Sequence, residues 1–165
     1  MRPRLILVAA ALAALALAAP ATAAAQTYTD TLTGYEYAFT STDGRFAGTA
    51  TGALPGAWEA DIRHSQLCLS CSPTATITGG SFSLGTTYSL IVGHFTGGTV
   101  QVLNPGAGCT NQTFAVDGAL GGVGRWTAGT GSGTFAVTLT HYRRSILGYC
   151  TTYGAKVAGT LSLTL

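Results

Sequence analysis

The chain has 165 residues, with eight lysines and arginines against six aspartates and glutamates, and charged residues make up only 8% of it. This balance excludes a nucleic-acid-binding protein that works through a basic face, and it excludes a polybasic membrane anchor. The 23 glycines lie after residue 25 together with many threonines, a composition that disfavours helices and is typical of an all-β domain.

The first 25 residues have the pattern of a secretory signal peptide. Arg2 and Arg4 form a short positive start, residues 5–19 are an uninterrupted apolar run, and small-x-small cleavage sequences extend to residue 25. The run is shorter than the roughly 20 residues that a membrane helix needs. We therefore expect one mature domain, residues 26–165, without a transmembrane segment and either secreted or held in the cell envelope. The alanine-rich signal favours a bacterial source.

Four cysteines in an exported domain of this size predict two disulfide bonds. The spacing favours Cys68–Cys71 within one connection and Cys109–Cys150 between two late strands. Zinc binding and redox chemistry are the alternatives for the C-x-x-C. However, Cys109 and Cys150 do not form a second C-x-x-C unit, and the threonine-rich sequence after Cys71 does not predict a helix. We expect no metal and no cofactor.

Alternation of apolar and polar residues between turn sequences predicts about nine strands. Short connections predict that sequence neighbours pair as antiparallel hairpins. In the first strand the apolar phase changes, which predicts a bulge at Gly34 that turns Tyr35, Tyr37 and Phe39 inward. The predicted strands are residues 27–41, 45–53, 57–64, 74–84, 87–96, 99–104, 112–121, 133–144 and 150–165.

Strands with one apolar face have to bury that face against other strands. The sequence therefore predicts a single antiparallel β-barrel of eight or nine strands, with a two-sheet β-sandwich as the alternative. The outward phase carries threonine, serine and acidic residues rather than an apolar band, which favours a soluble barrel over a membrane barrel.

Three histidines, His64, His94 and His141, each continue the apolar phase of a predicted strand. A histidine cluster at a barrel mouth would suit a ligand, a metal or acid–base chemistry, whereas a hydrogen-bonded histidine at the rim is the simpler interpretation. With nine strands in up-and-down order, His64 and His94 share one mouth and His141 lies at the other.

Other polar and aromatic residues add candidate ligand contacts. Arg143 shares the phase of His141 and would suit a carboxylate or phosphate, and Asp30 shares an inward phase. Arg125 and Trp126 lie in a glycine-rich segment, where the tryptophan either plugs the barrel end or stacks on a ligand. The other acids, Glu36 among them, fall in turns or on outward phases.

The sequence shows no pair of carboxylates aimed into one cavity and no nucleophile motif, so we expect no catalytic residue. The leading hypothesis is an exported binding module for a small apolar or aromatic molecule near His64, His94 and Trp126, or for a protein or cell-surface partner. One alternative is a small barrel enzyme, an isomerase or cyclase acting on an apolar substrate. The other is a passive cell-envelope or matrix protein.

Overall fold

A computed structural model describes residues 24–68 and 72–165. Eight antiparallel strands in chain order close into a barrel, in which β8 pairs with β1. This confirms the all-β barrel and excludes the sandwich. A short 3₁₀ turn, Ala107–Cys109, precedes β6. The strands are β1 (Thr27–Phe39), β2 (Asp43–Gly52), β3 (Gly56–His64), β4 (Thr74–Thr86), β5 (Leu90–Asn104), β6 (Gln112–Arg125), β7 (Gly131–Ile146) and β8 (Tyr149–Thr164).

The Gly97–Gly98 pair lies inside β5 and does not form a turn. Gly97 pairs with Ala119 and Gly98 pairs with Gly118, and a bulge separates Phe95 from Gly97. Gly98 has a φ of 130°, which glycine adopts without steric cost. The two predicted strands on either side are therefore one strand. This reduces nine strands to eight and reverses the direction that was expected for every later strand.

The barrel has two mouths because sequence neighbours alternate in direction. We call upper mouth the end that is formed by connections 40–42, 105–111 and 147–148 and by residues 65–68 after β3. The lower mouth is formed by connections 53–55, 87–89 and 126–130, together with the start of β1 and the end of β8. β3 and β7 both run toward the upper mouth.

Aromatic side chains fill the middle of the barrel. The fully buried Phe135 packs against Trp58, Phe82 and Phe95, with ring centroids 5.7, 6.3 and 5.7 Å away. Trp58 lies so close to the backbone of β1 that a Cβ at Gly34 would come within 2.9 Å of its ring. Gly34 therefore permits close packing of Trp58, and the bulge predicted at this position is wrong.

The bulge in β1 lies at Tyr37, between Glu36 and Ala38 in the pairing with β2. The inward phase of Leu32 consequently continues through Gly34 to Glu36, while Tyr35 and Tyr37 are more than half exposed. The sequence pattern misled here because two tyrosines resemble core residues more than a glutamate does.

The pairing of β1 with β8 stops before the upper mouth. It runs from Thr27–Thr164 to Gly34–Val157. Beyond that point residues 35–39 pair with β2, and the first half of β8 pairs with β7. The described residues thus leave a gap in the barrel wall between β1 and β8 at the upper mouth.

A disulfide bond joins Cys109 to Cys150, as predicted, and ties the turn before β6 to the start of β8. The other predicted pair includes Cys71, which lies outside the described residues, as does the predicted signal peptide up to residue 23. A disulfide is consistent with an oxidising compartment. Among the described residues, no helix is long and apolar enough to cross a bilayer.

Candidate functional site

The upper mouth contains a cavity of about 170 Å³. Its lining residues come from most strands of the barrel and from the connection after β3, where Leu67 lies at the edge. An engineered apolar cavity of about 150 Å³ in another protein admits benzene, so this volume suits a single ring or a molecule of similar size. The apolar walls are formed largely by Phe46, Ile62, Val100, Phe114, Val116 and Leu139.

Glu36 and His141 form a hydrogen-bonded pair at one side of this cavity. The Glu36 Oε2 atom lies 2.5 Å from the His141 Nε2 atom, and the two side chains are only 4% and 8% exposed. Glu36 is on β1 and His141 is on β7, with β8 between them. Ala155 pairs with His141 on β8, and its single methyl group leaves room for the contact. The pair thus bridges the gap where β1 and β8 have separated.

Each residue of this pair has one further polar atom besides the two in contact. The His141 ring lies between Phe39 and Phe114, with centroids 5.0 and 5.2 Å away. Since Nε2 of His141 contacts the Glu36 carboxylate, Nδ1 is the ring nitrogen that is not part of this contact. The other carboxylate oxygen, Glu36 Oε1, lies against Gly44, where an added Cβ would come within 2.8 Å of it. In the described part of the chain, no side chain donates a hydrogen bond to Oε1.

The rim of the cavity is held by the turn between β1 and β2. The hydroxyl groups of Thr42 and Thr40 donate to Asp43 Oδ2 at 2.9 and 3.0 Å. These hydrogen bonds, with smaller contributions from His64 and Arg63, hold the pKa of Asp43 below its usual range. The backbone N–H of His64 donates to the carbonyl of Thr42, so β3 is tied to the same turn.

His64 contributes a half-buried ring to the lining of the cavity. Its Nδ1 lies 2.8 Å from the carbonyl oxygen of Ser65. A carbonyl only accepts hydrogen bonds, so Nδ1 carries a proton and Nε2 is the nitrogen available to a ligand or to solvent.

The charges around the cavity are unbalanced. Glu36 and Asp43 both line it, whereas the described lining contains no lysine or arginine. Three nearby arginines do not line it: Arg63 lies opposite Asp43 in the β2–β3 pairing, Arg143 donates to the carbonyl of Gly106 at 3.2 Å, and Arg45 pairs with Asp61 on the outside of the barrel. Glu36 therefore faces the cavity and not outward as expected, and Asp43 lies at the rim with its carboxylate held by the β1–β2 turn.

Comparison of the chain with protein-family models, curated proteins and solved structures gives no match. A barrel fold by itself does not specify a function. Within residues 24–68 and 72–165, no three histidine, cysteine or acidic side chains lie close enough together to hold a metal ion.

The predicted grouping of the histidines is wrong. His64 and His141 share the upper mouth because Gly97–Gly98 does not end a strand. His94 lies in the lower half of β5 and is exposed, after a bulge between Val92 and His94 that turns its ring outward over Gly121 and Gly122. His94 therefore does not contribute to the cavity.

Arg125 and Trp126 lie at the lower mouth, where β6 ends. Trp126 is 66% exposed and has a left-handed φ of 66°, and its backbone N–H donates to the carbonyl of Leu90 at 2.7 Å. The packed core around Phe135 separates both residues from the cavity. The expected ligand near His64, His94 and Trp126 would thus need to touch both ends of the barrel, which a small molecule cannot do.

Arg143 also does not line the cavity. Its register with β8 shifts because Tyr153 is an extra residue in β8, between the partners of Tyr142 and Arg143. Its guanidinium group and its backbone N–H instead hold the connection before β6, through Gly106 and Asn111. Arg143 is a structural contact in this arrangement.

Asp30 faces inward, as predicted, and is 2% exposed. Its Oδ1 atom accepts a hydrogen bond from the backbone N–H of Leu54 at 2.8 Å, which fixes the turn between β2 and β3. No described group donates to Oδ2. Asp30 is in the lower half of the barrel, so it belongs to the packing of that end.

Glu36 is the site residue that sequence reasoning missed. It continues the period-two sequence of Asp30, Leu32 and Gly34, and this regular alternation was the signal that would have identified it. The preference for aromatic core residues overrode that signal.

Proposed function

We propose that this protein is a binding module that takes up one compact apolar or aromatic molecule in the cavity at its upper mouth. The observation that carries the proposal is an apolar cavity with a single buried polar pair at one side. Small-molecule sites typically combine apolar walls with a few polar groups that orient the ligand. Glu36 and His141 would orient the ligand, while Phe46, Val100 and Phe114 would cover its apolar part.

The size of the cavity limits the ligand to about one ring with a short substituent. The packed core beneath it, centred on Phe135, prevents a long chain from threading into the barrel. A fatty acid or a large polycyclic molecule is therefore a poor fit, and a monocyclic molecule with one hydrogen-bonding group is a good one.

Titration of the ¹⁵N-labelled mature domain with benzyl alcohol tests the proposal. We expect saturable shifts of amide resonances in residues 36–46, 62–67, 112–116 and 139–141. Val100→Phe fills the cavity and should abolish these shifts. Val92→Phe adds the same ring to β5 outside the cavity, where neighbouring Ile91 occupies the inward position, and should preserve them.

Saturable shifts that persist in Val100→Phe would place the ligand elsewhere and overturn the proposal. The same conclusion follows if neither benzyl alcohol nor other monocyclic compounds, such as phenol and indole, produce saturable shifts in the folded wild type.

The Glu36–His141 pair favours a second candidate, a small enzyme that moves a proton on an apolar substrate. A histidine held by a carboxylate is a common general acid or base. Conversion of a bound compound that is lost in His141→Gln, with binding retained, would favour the enzyme. Release of every bound compound unchanged favours the binding module.

A further inference from the structure

The cavity at the upper mouth has the charge distribution of a site for a cation. We propose that its ligand is a compact amine, a protonated amino group attached to one apolar ring or a group of similar size, and that it excludes carboxylates. This inference rests on the proposed function, since it names the chemical class of molecule that the same cavity takes.

The charge on the cavity lining favours a cation over an anion. The described lining contains two carboxylates, two histidines, and no lysine or arginine. If both histidines are neutral, the lining is negative by two charges. If both are protonated, it is neutral. In neither state does the lining offer the excess positive charge that an anionic ligand needs in a buried site.

The second carboxylate oxygen of Glu36, Oε1, also favours a cation. Its side chain is 4% exposed, and one oxygen contacts His141. The other, Oε1, has no donor in the described part of the chain and lies against Gly44, which also lines the cavity. An ammonium group donates and does not accept, so it matches Oε1, and a charge-assisted bond there is about twice as strong as a neutral one.

The phenylalanine rings in the cavity lining favour a cation as well. Phe39, Phe46 and Phe114 line the cavity beside the Glu36–His141 pair. The faces of aromatic rings attract cations and make no comparable contact with anions. A ring-bearing amine thus has favourable contacts at both of its ends.

Competition among three molecules of the same size tests the inference: benzylamine, benzyl alcohol and benzoate, measured by calorimetry on the mature domain at pH 7. We expect benzylamine to bind about tenfold more tightly than benzyl alcohol, a difference of about 1.4 kcal/mol. Benzoate should bind at least about tenfold more weakly than benzyl alcohol, because its charge is unpaired in the cavity.

Three variants identify the source of the preference. Glu36→Gln should remove most of the preference for benzylamine while benzyl alcohol still binds, and Asp43→Asn should reduce it by a smaller factor. Asp117→Asn removes the same charge from the exposed face of β6 and should leave the preference unchanged. Asp43→Asn also keeps the test decisive if Glu36→Gln fails to fold.

Equal binding of benzylamine and benzyl alcohol, tighter binding of benzoate, or a preference that survives both Glu36→Gln and Asp43→Asn would overturn the amine inference and leave the proposed function standing. Failure of all three molecules to bind the folded wild type would instead contradict the proposed function itself.

Discussion

Glu36 Oε2 and His141 Nε2 meet at 2.5 Å across β8, two residues beyond the last backbone pair between β1 and β8, Gly34–Val157. A side-chain contact thus replaces the backbone pairing at the point where the barrel wall opens. The same contact supplies the polar side of the cavity, so the wall at the upper mouth and the polar character of the site share one pair.

Removal of either partner should destabilise the protein. Glu36→Ala or His141→Ala leaves a polar group buried without its partner, and we expect the free energy of unfolding to fall by about 3 kcal/mol. The double variant should lose little more than either single one, because the two residues act as a unit. Urea unfolding of the four proteins measures this coupling.

Glu59→Ala serves as the control, since Glu59 is exposed on β3. It should change the free energy of unfolding by less than about 0.5 kcal/mol. Additive losses in the Glu36 and His141 variants would show that the pair does not act as a unit.

Two neighbouring glycines in β5 should differ strongly in how much stability the protein loses when each is replaced by alanine. A Cβ at Gly98 would overlap the carbonyl oxygen of Asp117, and its φ of 130° is strained for any other residue, so Gly98→Ala should cost at least about 2 kcal/mol. Nothing lies within 4 Å of a Cβ at Gly97, so Gly97→Ala should stay within about 0.5 kcal/mol. Thermal unfolding of the two variants measures the difference. Similar stabilities would contradict the continuous strand through this pair.

The β1–β2 turn should be sensitive to acid through Asp43. Hydrogen bonds from Thr42 and Thr40 lower the pKa of Asp43 in the folded state. The stabilisation is therefore present above the pKa of the unfolded chain and is lost as the pH falls through the lower, folded-state pKa. Thr42→Ala should raise that pKa, which a carboxyl ¹³C titration measures directly.

Asp43→Asn should destabilise the protein at neutral pH and have progressively less effect as the pH falls through the acid range. An effect of the same size at every pH would contradict the role assigned to the ionised carboxyl group.

Removal of the Cys109–Cys150 bond should lower stability substantially. The bond spans a sequence separation of 41, and in the chain-entropy model a loop of this length contributes about 4 kcal/mol. The double variant Cys109→Ser with Cys150→Ser avoids a new free thiol at either position. Unfolding in urea under non-reducing conditions measures the loss, and a loss below about 1 kcal/mol would contradict the model.

The amino-acid pattern was sufficient for the fold and insufficient for the site. Period-two alternation and short connections predict consecutive antiparallel strands. Because each strand has only one apolar face, the sheet buries these faces by closing into a barrel. The pattern does not distinguish a glycine pair that ends a strand from one that bulges within it, as Gly97 and Gly98 do. Because the pair was taken as a turn, His141 was predicted at the wrong mouth.

Two further errors have the same physical origin. The bulge at Tyr37 shifts the facing of the residues that follow it in β1, and the extra residue Tyr153 in β8 shifts the register opposite Arg143; neither leaves a distinct composition signal. Glu36 looked exposed because the bulge was expected at Gly34 and not at Tyr37, and Arg143 looked inward from alternation with His141. The hydrogen bond between Glu36 and His141 joins residues 105 positions apart, a contact that no local pattern specifies.

Intermolecular nuclear Overhauser effects from bound benzylamine locate the ligand within the barrel. We predict cross-peaks from its ring protons to the methyl groups of Val100, Val116 and Leu139, and from its methylene protons to the ring of His141. Cross-peaks to Trp126 or His94 at the other end of the barrel, without any to these methyl groups, would contradict the account.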